Sequence, residues 1–110
     1  MQFDIRGRGI PLTEALRAHC ERRLRFALSR FGPRLGRVVV RLSDVNGPRG
    51  GVDKRCQAVL AVSGGRTVTV ESEDADLYAA IDRVADRMGQ AVSRALARER
   101  TSAWEPMQVG

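Results

Sequence analysis

Lysine is nearly missing from this chain: Lys54 is the only one in 110 residues, although Lys and Arg together number 19 against 13 Asp and Glu. Arginine therefore carries almost all of the basic charge, a net +6 with an isoelectric point near 10.9. Histidine is as scarce, with His19 alone. It stands next to Cys20, but adjacent residues of a helix point about 100° apart, so the two do not form a nucleophile and its base. An enzyme is not expected. Cys20 and Cys56 have no Cys-x-x-Cys spacing and no surrounding histidines to build a zinc site, so both read as reduced and structural. No run approaches the roughly 18 apolar residues of a membrane span, and residues 1–9 lack a hydrophobic signal core. A cytoplasmic location is expected, with no membrane partner. Neither Gly7-Arg8-Gly9 nor Gly64-Gly65 is a dinucleotide fingerprint, because no Gly-x-Gly-x-x-Gly opens a helix after a strand. No cofactor, metal or small-molecule substrate is expected, and there is no internal repeat.

A hydrophobic fraction of 43% and a charged fraction of 29% are those of a folded chain, and its length suits one domain. Residues 2–6 alternate, with Phe3 and Ile5 on one face, and Gly7, Gly9 and Pro11 then break the strand. Thr13 is placed to cap a helix, with Glu14 at the positive end of its dipole. Leu16, Cys20, Leu24, Ala27 and Phe31 mark the buried side of that helix, which is expected to end at Gly32 and Pro33. Three more strands follow. Val38, Val40 and Leu42 share a face, as do Cys56, Ala58, Leu60 and Val62, and then Val68 and Val70, with Gly64 and Gly65 turning the last hairpin. A glycine-rich loop is expected over residues 46–54, where Arg49, Lys54 and Arg55 form either a basic finger or a mobile tip. Glu71, Glu73, Asp74 and Asp76 lie where strand gives way to helix, so capping is preferred over a cation site. The order is β-α-β-β-β-α, an α+β domain whose four-stranded sheet has both helices on one face and water on the other. The domain is expected to occupy residues 1–100. Residues 101–110, with Trp104 and Pro106, show no usable periodicity and read as a flexible tail.

The second helix, expected over residues 74–100, has two stripes. Leu77, Ile81, Val84, Ala85, Met88, Val92, Ala95 and Leu96 form the apolar one. Arg83, Arg87, Arg94 and Arg98 form the other, with Gln90 among them and Asp82 and Asp86 to one side. Solubility asks only for mixed charge, whereas four arginines in a row suggest a polyanion. On the first helix Arg22 and Arg25 lie opposite the apolar stripe, with His19, Arg23, Phe26 and Arg30 on one flank. Phe26 either stacks on a base or, the preferred reading, packs beneath a neighbouring element. The exposed flanks of the two helices are expected to make one cationic surface. Arg6, Arg41 and Arg55 are assigned to the exposed face of the sheet, where they should matter less than the stripe.

This order of elements, the Asp76-Leu77-Tyr78-Ala79-Ala80-Ile81-Asp82 run, Thr13-Glu14-Ala15-Leu16 and Val62-Ser63-Gly64-Gly65 together resemble the ribosome hibernation-promoting factor and ribosome-associated inhibitor family in its short form. The resemblance covers residues 1–98. It implies a fold similar to double-stranded RNA-binding domains and a role in stationary or stressed cells. It further implies occlusion, without chemistry, of the channel for messenger and transfer RNA on the small ribosomal subunit. The partner is then ribosomal RNA, met by the basic face to which Arg83, Arg87, Arg94 and Arg98 correspond by position. The RNA-binding candidates are Arg22, Arg23, Arg25, Arg30, Lys54, Arg83, Arg87, Arg94 and Arg98, on a chain expected to be monomeric off the ribosome. The loop over residues 46–54 is longer and richer in glycine than the family pattern, and the dimerising domain of long members is not present, so ribosome pairing and silencing of single ribosomes both stay open. The rival reading is a regulatory protein-binding module of the same fold without RNA, which has no need of an arginine stripe.

Overall fold

Every second residue of a strand turns to the same face, and this alternation builds the core. In β1 (Gln2–Arg8), β2 (Leu35–Asp44), β3 (Lys54–Val62) and β4 (Arg66–Asp74), the buried residues Ile5, Val38, Val40, Leu42, Cys56, Ala58, Leu60, Val62 and Val68 all point one way. The computed structural model describes residues 1–45 and 53–108, with the backbone alone for residues 99–108. The strands form one mixed sheet in the order β1-β2-β3-β4, with β1 parallel to β2 and the other pairs antiparallel. Helix α1 (Glu14–Leu28) is the crossover that a parallel pair requires. With α2 (Leu77–Gln108) it covers the apolar face and leaves the other open.

Local chemistry sets the helix ends. The Thr13 hydroxyl accepts from the Leu16 amide at 3.1 Å, capping α1 as its sequence predicts. The helix stops at Leu28, earlier than expected. A 3-10 segment over Ser29–Arg34 follows, in which Gly32 adopts φ 57, and Leu28 closes the buried stripe where Phe31 was expected. Strand β1 runs two residues past Arg6, and Gly7 stays in it opposite Leu42. A Cβ on Gly7 would lie 3.0 Å from the Ile10 carbonyl oxygen, so glycine admits the returning chain rather than ending the strand. Asp74 belongs to β4, and α2 begins three residues later than its charge pattern suggests. The same helix continues to Gln108, beyond the periodicity that ends near residue 100.

The run over residues 76–82 gives each side chain a task. Asp76 Oδ1 accepts from the Tyr78 amide at 3.0 Å, while Leu77, Ala80 and Ile81 are buried. Tyr78 meets the His19 ring edge-on at 4.9 Å, and Asp82 reaches across to α1. Farther along α2, Gly89 marks a close stretch of the helix pair, where a Cβ would be in ordinary contact with the Ala27 carbonyl oxygen at 3.4 Å. Cys20 and Cys56 are free thiols inside the core, and burial pushes both up to about 12, far from the reactive thiolate range.

Candidate nucleic-acid interface

Helix α2 lies over the sheet so that its arginine stripe runs beside β4, an edge strand. From Arg83 to Arg98 the stripe is about 22 Å long at 1.5 Å per residue, and it divides into two halves. Arg83 folds back on the sheet: Nη1 donates to Ser72 Oγ at 2.9 Å and to the Glu73 carbonyl at 3.1 Å, and Nη2 to Asp74 Oδ2 at 3.0 Å. Arg87 Nη1 donates to the Glu71 carbonyl at 3.2 Å. Asp74 also accepts from the Asp76 amide at 2.9 Å, and this bond together with Arg83 holds its carboxyl below the usual range. Arg94 and Arg98 instead line an open groove of 340 Å³ with Thr67, Val68, Thr69 and Ala91. Neither has an ion-pair partner among the described residues.

On α1 the basic flank faces α2. Arg23 Nε donates to Asp82 Oδ1 at 2.9 Å and Nη2 to Asp86 Oδ1 at 3.3 Å, while His19 Nε2 lies 2.7 Å from that same Asp82 oxygen. Partial burial raises the Asp82 carboxyl, but the His19 and Arg23 bonds outweigh this and hold it below its ordinary value. Phe26 is 80% exposed, so it packs beneath nothing and the preferred expectation for it is corrected. It borders a groove with Arg23, Arg30, Gly89 and Gln90. Arg25 lies over the Phe3 ring at 4.9 Å and Arg30 over the Phe31 ring at 4.8 Å, while Arg22 is exposed.

The candidates are therefore not gathered into one patch. Along the first half of α2, Asp82 and Asp86 stand between the α1 arginines and the stripe; beyond Gly89 the corresponding flank carries neutral Ser93 and Ala97. The result is two basic bands that face each other across acids and then across neutral ground. Lys54 is in neither. It sits at the end of β3, bonded to the buried Asp53 at 2.7 Å and to Asp44 at 3.4 Å. Of the proposed finger, Arg55 is a strand residue held by Glu73 at 2.7 Å, and Arg49 lies outside the described residues. The acidic run serves the protein itself, with Asp74 and Asp76 taking amides and Glu71 and Glu73 pairing across to Gln57 and Arg55.

Comparison with known proteins agrees with this geometry. Residues 3–100 match the family described as Sigma 54 modulation protein / S30EA ribosomal protein. No curated protein sequence matches. The chain is similar to the Protein Y N-terminal domain of Thermus thermophilus, with 35% identity and a TM-score of 0.71 over 86% of this chain and 98% of that one. It shares the fold of a ribosomal subunit interface protein from Coxiella burnetii, at 20% identity and a TM-score of 0.72 over 88% and 99% of the two chains. A domain of two arginine-bearing helices on a four-stranded sheet, matched almost from end to end, thus belongs to the Sigma 54 modulation protein / S30EA ribosomal protein family, the ribosome-associated hibernation factors.

Proposed function

We propose that this protein is a translation inhibitor that occupies the channel for messenger and transfer RNA on the small ribosomal subunit of idle cells, holding ribosomal RNA phosphates and carrying out no reaction. The observation that supports this most directly is the pair Arg94 and Arg98, which line an open groove without a carboxylate while the acids nearby are engaged elsewhere. Guanidinium forks suit phosphate oxygens, and an unpaired fork gives up no internal bond on binding. Arg22, Arg23, Arg25 and Arg30 supply the second band, and Phe26 offers an aromatic face on which an unpaired base stacks. Asp82 and Asp86 keep Arg23 oriented between the bands. Lys54 contributes little, because its ammonium is already committed to Asp53 and Asp44. The protein acts in the cytoplasm and is monomeric off the ribosome. Its relatives, a Protein Y domain and a ribosomal subunit interface protein, point the same way.

Each neutralised phosphate releases condensed counterions, so affinity should be steeply salt-dependent. With about five contacts, co-sedimentation with purified small subunits should weaken by roughly two to three powers of ten between about 50 and 200 mM salt. Binding that hardly changes over this range would remove the phosphate-contact mechanism.

A further inference from the structure

The face of the sheet turned away from the helices carries a basic concavity of 450 Å³, lined by Arg6 and Arg8 of β1, Arg41 and Ser43 of β2, and Arg55 and Gln57 of β3. Strand register explains how these residues meet. Arg6 lies opposite Arg41, which lies opposite Gln57; in the next row Arg8 lies opposite Ser43, which lies opposite Arg55. Two guanidiniums placed directly across a strand pair repel each other, so the arrangement is costly unless something negative sits between them. Carboxylates satisfy only the outer arms. Asp4 Oδ1 and Oδ2 take Arg6 Nε at 3.3 Å and Nη2 at 2.7 Å, and Glu73 Oε2 takes Arg55 Nε at 3.0 Å and Nη2 at 2.7 Å. Each of these guanidiniums keeps its Nη1 donors. Glu71, the remaining acid of the two rows, is 3.4 Å from the Gln57 amide. Arg8 and Arg41 have no carboxylate partner among the described residues.

We propose that Arg6, Arg8, Arg41, Ser43 and Arg55 form a second phosphate-binding surface, which takes the backbone of an RNA strand on the side of the sheet opposite the helices. Two arms are fixed in direction by their carboxylates, two are unpaired, and the Ser43 hydroxyl lies between Arg8 and Arg55 as a neutral donor. The rows are two residues apart along the strands, about 6.7 Å, so successive phosphates of one strand can each meet a row. Planar forks take phosphate and carboxylate oxygens alike, as Asp4 and Glu73 show; the row spacing suits the phosphate repeat of a nucleic-acid strand, and in choosing RNA over an acidic polypeptide the proposal rests on the ribosomal function proposed above. With both faces engaged, the domain is a wedge between two RNA segments.

The test adds a 12-nucleotide oligouridine to the isotope-labelled full chain and follows backbone amides by NMR. Resonances of residues 6, 8, 41, 43 and 55 should move, and should move equally in R83Q/R87Q/R94Q, which leaves the sheet face intact. In R8Q/R41Q these shifts should vanish, oligouridine affinity should fall about tenfold, and the slope of log affinity against log salt should lose roughly 1.4, two single-strand contacts. An open face that stays still while helix amides respond overturns the proposal, and this reading needs no variant. Oligoglutamate of equal charge moving the same amides as strongly overturns the choice of RNA. Co-sedimentation of the unaltered chain with small subunits is scored separately: if it fails while the open face responds to RNA, the ribosomal reading falls and the site stands.

Discussion

Asp82 Oδ1 holds His19 Nε2 at 2.7 Å across the helix pair. The same oxygen takes Arg23 Nε, so one carboxylate oxygen of α2 fixes two α1 residues, while the helices also lie close at Gly89, about two turns farther on. A contact of this kind sets the angle at which two basic helices are presented.

Asp82→Asn should cost about 1 kcal/mol at pH 7, a modest figure because the carboxylate is partly exposed. The sign of its pH dependence follows from the direction of the shift. The folded carboxyl titrates below its ordinary 3.8, so its contribution is complete above that pH and disappears as pH falls through the folded value. Urea unfolding should therefore show a gap between wild type and variant that narrows as pH falls below 3.8. A gap that widens in acid would contradict the assignment.

The two halves of the stripe should behave differently. Arg94→Gln with Arg98→Gln removes two unpaired forks and leaves Val92, Ala95 and Leu96 in place, so melting temperature should hold while small-subunit binding weakens at least about tenfold. Arg83→Gln with Arg87→Gln should weaken binding and also lower stability by about 1 kcal/mol, because bonds to β4 are lost. Arg17→Gln with Arg37→Gln, two exposed positions outside both bands, is the charge-matched control. Equal losses from control and stripe would mean that bulk charge alone matters.

Phe26→Ala should leave stability within about 0.5 kcal/mol, since the ring is solvent-exposed. If the ring stacks on a base, binding to the small subunit should weaken by about 1–3 kcal/mol. Unchanged affinity would return Phe26 to the role of a surface residue.

Native protein should resist iodoacetamide at pH 8, because burial holds both thiols near 12, and should react promptly once unfolded in urea. Cys20→Ala with Cys56→Ala should keep ribosome binding and cost about 1–2 kcal/mol of stability in total. A folded double variant that no longer binds would mean that a thiol has a functional role.

What could be read from the sequence was what repeats. Val38-Val40-Leu42 and Cys56-Ala58-Leu60-Val62 declare a sheet face, and Thr13 declares a helix start, because each depends on neighbours a few residues away. Gly7 misled because its place in β1 depends on a carbonyl that returns over it, and Asp74 because its partners, Lys54 by register and Arg83 by ion pair, are distant in sequence. The stripe was visible on a helical wheel. Its division was not, since nothing local tells that Arg83 turns back onto Ser72 while Arg94 does not. The open-face rows are hidden for a further reason: Arg8 falls beyond the alternating run over residues 2–6, and the facing of Arg6 and Arg41 is a matter of register between strands.

Arg83 and Arg87, bonded to the carbonyls of Glu73 and Glu71, also stand guard over an edge strand. An uncovered strand edge invites another chain to pair with it, and charged side chains laid along it discourage this. On the function proposed above, the same two residues would serve RNA in one state and β4 in the other. A variant that loses them should give up affinity for the ribosome and at once gain a tendency to self-associate when free, which would tie colloidal behaviour in storage to ribosome occupancy through one pair of guanidiniums.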